Sequence, residues 1–74
     1  MKVSEKIRQK LLNERDFRLG TALAMKISEN NVRNLAKANS ENLTKYSAIK
    51  FFESEGYSEN EIFEPVAHQS ISNN

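Results

Sequence analysis

The sequence predicts an all-α fold: a compact bundle of five short helices arranged around a central pair joined by a tight turn. Three observations predict it. Apolar residues recur at helical spacing along most of the chain. The breaks between these runs carry residues that start or stop helices, among them Ser4, Asp16, Ser28, Asn42, Gly56 and Ser58. At 74 residues the chain is one domain, able to bury only about 60% of its unfolded surface, so its core is small.

The first helix is expected over residues 3–14, where Val3, Ile7 and Leu11 recur at every fourth position with Leu12 alongside and Ser4 placed to cap. Lys2, Lys6, Arg8 and Lys10 lie on its outer side as a solvated face, one or two of them within reach of a polyanion. After the polar break Asn13–Asp16, Asp16 should cap a second helix from Phe17 to Met25. In that helix Ala22, Met25 and the following Ile27 turn inward, and Phe17 anchors its start. Arg18 falls in the first turn, where free N–H groups and the positive dipole end favour an anion, so a phosphate contact is expected there. Gly20 lowers helix propensity by roughly 1 kcal/mol relative to Ala, a cost that implies close approach by another part of the backbone.

Ser28 opens the third helix, which runs to Lys37. At about 100° per residue Val32, Leu35 and Ala36 share one side, and Asn30, Arg33, Asn34 and Lys37 span roughly 100° to 200° on the other. One face packs; the other is basic and amide-bearing. Arg can grip guanine O6 and N7 with two hydrogen bonds, and Asn can do the same at adenine N6 and N7. The polar run Ala38–Asn42 is a turn. A fourth helix is expected from Leu43 to Glu55, capped by Asn42, with Leu43, Tyr46, Ile49 and Phe52 or Phe51 as its apolar stripe and Gly56 as its stop. Ser58 and Glu61 form a capping box for a last short helix carrying Ile62 and Phe63 up to Pro65. The domain thus spans residues 1–66, and residues 67–74 are expected to be a disordered tail.

The net charge of +1 conceals an asymmetry. Residues 1–50 hold all eleven Lys and Arg against five acids, a balance of +6, and residues 51–74 hold five Glu and no Lys or Arg, a balance of −5. The basic part suits phosphate, and the acidic part should face away from it. The absence of cysteine excludes disulfides and thiolate–metal sites. His68 has no carboxylate or second histidine at useful spacing, so no metal site, cofactor site or catalytic residue is expected, and the chain does not read as an enzyme. No apolar run reaches the roughly 18 residues of a membrane span, which points to a cytoplasmic protein without membrane contact.

The run from Arg18 to Lys37 resembles the helix-turn-helix of the Cro and lambda-repressor-like domains, the XRE family. The resemblance extends over about residues 3–64. Ala22 stands where the family has a small residue in the middle of the first helix of the motif, and Met25 is the apolar residue three places on. Ile27 occupies the turn, Ser28 opens the recognition helix, and Val32 and Leu35 follow four and seven places later. The turn departs from the pattern at Lys26, where the family commonly has glycine; a positive φ there costs on the order of 1 kcal/mol.

The resemblance implies a sequence-specific DNA-binding regulator, a repressor in the first instance. Ser28, Asn30, Arg33, Asn34 and Lys37 would lie in or beside the major groove, with Arg18 on the backbone. It also implies a two-fold homodimer on half-sites about 34 Å apart. Ile62, Phe63 and Val66 serve either as the dimer surface or as the closing part of the monomer core, with the core preferred. Glu29 could accept from cytosine N4, although favouring the positive helix end while repelling phosphate is the preferred reading. The alternative function is a protein-interaction module, an antitoxin or phage accessory factor, gripping a partner through Phe51–Val66.

Overall fold

A computed structural model describes residues 1–64. Pro65, the apolar candidate Val66 and the expected tail 67–74 lie outside the described residues. Five helices follow in order: α1 (Glu5–Asn13), α2 (Arg15–Met25), α3 (Glu29–Ala38), α4 (Tyr46–Ser54) and α5 (Glu59–Ile62), with a 3-10 helix, Glu41–Thr44, between α3 and α4. The all-α bundle expected from the sequence is what forms.

Ser4 caps α1 as expected, its hydroxyl oxygen accepting from the Ile7 N–H at 3.3 Å. Val3 is not in the helix. It forms an isolated antiparallel bridge with Phe63, where the Ser4 N–H donates to Ile62 O at 2.7 Å and the Glu64 N–H to Lys2 O at 2.8 Å. The Ser4 hydroxyl completes the clasp by donating to Glu61 O at 2.6 Å. This closure joins residues about 60 positions apart, so local periodicity carries no trace of it.

Helix α2 begins at Arg15, earlier than expected, and Asp16 lies inside its first turn instead of capping it. Phe17 is buried as its anchor and meets the rings of Phe51 and Phe52 at centroid distances of 5.5 Å each and that of Tyr57 at 5.9 Å. Thr21, fully buried, spends its hydroxyl on Phe17 O at 2.9 Å, so burial leaves no orphan donor.

The expected fourth helix is shorter than Leu43–Glu55. Ser40, not Asn42, caps the 3-10 helix, accepting from the Asn42 N–H, and α4 restarts at Tyr46. The interruption resets the register. Leu43, Ala48 and Phe52 are buried, Ile49 and Phe51 pack at the core margin, and Tyr46 points out at 76% exposure. Gly56 ends the segment at φ +101°, where a side chain would be strained. The Ser58 N–H donates to the Glu61 carboxylate at 2.9 Å in the capping box of α5. Ile62 is fully buried and Phe63 packs at the margin, so of the two readings for these residues the core is realised.

Candidate nucleic-acid interface

Helix α3 is positioned by its two ends and its inner face. At the start the Ser28 oxygen accepts from the Asn31 N–H at 3.0 Å. Before it, Lys26 adopts a left-handed conformation, φ 60° and ψ 43°, and the Ile27 N–H reaches back to Ala22 O at 3.0 Å, turning the chain between α2 and α3. At the far end Asn39 is also left-handed, and the Ser40 N–H bonds Leu35 O at 3.0 Å. The inner face buries Val32 and Ala36 completely, with Leu35, Met25 and Ile27 at the margin. The Arg8 Nε donates to Ala36 O at 2.8 Å, tying α1 to the last turn of α3.

The other face is open. Asn30, Asn34 and Lys37 are exposed and Arg33 is half-buried, and among the described residues none of the four makes a side-chain hydrogen bond or ion pair. Ser28 is exposed and its oxygen is engaged only as the cap. Helix α3 packs on α1, α2 and the 3-10 helix; neither α4 nor the glutamate-bearing α5 covers it. Lys37 lies in the last turn, where a cation complements the helix dipole.

Arg18 is not on that surface. It is 7% exposed, its Nη1 donates to Leu11 O at 3.0 Å and Leu12 O at 3.3 Å, and its Nε donates to Glu29 Oε2 at 2.8 Å. The expected phosphate contact is corrected accordingly: the guanidinium is held by the end of α1 and the first turn of α3. A signal for this exists in the sequence. Arg18, Thr21, Ala22 and Met25 stand at i, i+3, i+4 and i+7, the spacing of one inward row. Glu29, expected either as an acceptor for cytosine N4 or as a charge at the positive helix end that repels phosphate, is paired with Arg18 at 2.8 Å.

The cations of α1 are similarly engaged. Lys6 pairs with Glu61 at 3.2 Å, Arg8 with Glu5 at 3.0 Å and Lys10 with Glu14 at 2.8 Å. Arg33 and Lys37 of α3, by contrast, make no ion pair among the described residues. Hydrogen bonding holds three carboxyls below their usual value: Glu61 chiefly through the Ser58 backbone and then Lys6, Glu5 chiefly through Gln9, and Glu41 through the N-terminal ammonium. Glu14 raises the Lys10 ammonium above its usual value.

Among the described residues no group of three or more His, Cys, Asp or Glu could hold a metal ion, and no helix is long and apolar enough to cross a membrane. The fold defines a small all-α bundle with one basic, amide-bearing helix face left open. No family model matches the chain, and none of the curated proteins or solved structures compared with it does either.

Proposed function

We propose that this chain is a sequence-specific DNA-binding regulator acting in the cytoplasm, a repressor of the lambda-repressor-like (XRE) type, that reads the major groove with the helix from Ser28 to Lys37. The observation that carries the reading is the side chains of Asn30, Arg33, Asn34 and Lys37 on one unobstructed face of a helix whose opposite face is locked into the core. A helix presented in this way fits the major groove, where Asn and Arg discriminate bases and Lys supplies salt-dependent affinity. The left-handed Lys26 supports the tight turn that such a helix pair needs. One helix reads only a few base pairs, so a two-fold dimer on paired half-sites accompanies the reading.

The alternative, a protein partner gripped through the acidic last third, is weakened because Phe52 and Ile62, its strongest apolar anchors, are already buried in the monomer. Selection from a random duplex pool at fixed moderate salt tests the proposal. An enriched palindrome is expected. Absence of any enriched sequence overturns it, and salt-insensitive binding to a protein ligand would then favour the alternative.

A further inference from the structure

We propose that Glu29 is a specificity-determining residue that reads a cytosine amino group, and that Arg18 is its positioning residue. The inference rests on the DNA-reading role of α3 and deepens it.

Glu29 is the first residue of α3, about 40° around the helix axis from Arg33 and so on the rim of the open face. Its two carboxylate oxygens are not equivalent. Oε2 accepts from Arg18 Nε at 2.8 Å; Oε1 has no partner among the described residues, and the side chain remains 26% exposed. Arg18 is itself held from behind by the carbonyls of Leu11 and Leu12 and is 8% exposed at its side chain, so a DNA phosphate cannot draw it away without breaking three hydrogen bonds.

Two consequences follow. The charge of Glu29 is neutralised, which removes the repulsion a bare carboxylate would meet between phosphates. And the oxygen left without a partner, Oε1, is an acceptor only, as a carboxylate oxygen is, because Arg18 occupies Oε2. In the major groove such an atom favours a base edge that offers a donor without an adjacent acceptor. Cytosine N4 meets that condition, whereas adenine N6 stands beside the acceptor N7.

The same geometry dictates what an amide would do. In Glu29→Gln the Arg18 Nε still requires an acceptor, so the amide oxygen takes the inner position and the NH2 group turns outward. The free atom changes from acceptor to donor, and the preferred base changes to one presenting an acceptor without an adjacent donor, guanine or thymine.

The experiment is selection from a random duplex pool, run in parallel with the wild-type chain and Glu29→Gln, with helical content and melting of the variant followed by circular dichroism. The expected result is one cytosine column in the wild-type motif that becomes guanine or thymine in the variant motif while the other columns persist. Identical columns in the two motifs overturn the proposal. If the variant does not fold, the wild-type chain is titrated with its selected duplex and with one in which that C·G pair is T·A. A loss of about tenfold or more is expected for one hydrogen bond to a charged group, and a loss under about twofold overturns the proposal. A wild-type pool that enriches nothing removes the DNA-reading role itself and this proposal with it, which distinguishes that failure from the loss of the cytosine column alone.

Discussion

The ring of Phe51 lies against the backbone of Gly20, so close that a Cβ built at residue 20 would fall within 3 Å of the ring edge. The glycine in the middle of α2 is therefore explained by an aromatic side chain of α4, not by the backbone approach that its helix-propensity cost suggested. Gly20→Ala gains up to about 1 kcal/mol of helix propensity, but displacing a ring packed on Phe17 costs about 1–3 kcal/mol. The expected net effect is destabilisation, read as a lower Tm. In a Phe51→Leu background the same change should cost less, and a coupling near zero in that double-mutant cycle would separate the two residues.

Lys26 is held at φ 60° with an exposed side chain, so its backbone is strained while its side chain contributes no core contact. Lys26→Gly should raise stability by about 1 kcal/mol through relief of that strain. Chemical denaturation with an unchanged m-value and a higher midpoint is the expected result. A lower midpoint would mean that the turn owes more to the lysine than its geometry indicates.

Acid should loosen the bundle in a definite window. The folded carboxyls of Glu61, Glu5 and Glu41 titrate below the ordinary value of 4.5. Their contribution is fully present above that unfolded value and is lost as pH falls through the lower folded values. Tm should therefore be flat with respect to these groups above about pH 5.5 and fall below about 4.5. Glu61→Gln should flatten that decline, and an unaltered pH profile would contradict the role of the Ser58 and Lys6 contacts. Lys10 acts in the opposite sense: its raised pKa gives a contribution present below 10.5 and lost as pH rises through the folded value.

Substitutions should separate the cations on the DNA-reading account. Arg33→Ala is expected to cost about 1–3 kcal/mol on a selected site and to relax preference at one base, whereas Lys37→Ala weakens all sequences alike and lowers the salt slope by about one. Arg18→Ala should behave differently from both. Removing a buried cation leaves Glu29 Oε2 and the Leu11 and Leu12 carbonyls without their donor, and about 3–5 kcal/mol of stability is lost. Equal losses on random and selected DNA for Arg33→Ala would contradict base reading. A fully stable Arg18→Ala protein would contradict the structural role of the guanidinium.

What the residues by themselves determined was local. Ser4, Ser28 and the Ser58–Glu61 box set helix starts through hydrogen bonds reaching at most three residues along the chain, and Gly56 sets a stop through its own backbone freedom. The open face of α3 was legible for the same reason, since helical geometry alone separates Val32 and Ala36 from Asn30, Asn34 and Lys37. Only the tertiary structure decided the rest. The Val3–Phe63 clasp, the 3-10 break, whose Glu41 and Thr44 side chains contact Met1, the Phe51 ring over Gly20 and the inward Arg18 bound to Glu29 each involve atoms brought together from distant positions or neighbouring helices. A charged side chain follows its partners, and where those partners sit is a property of the packed molecule, not of the segment that carries the charge.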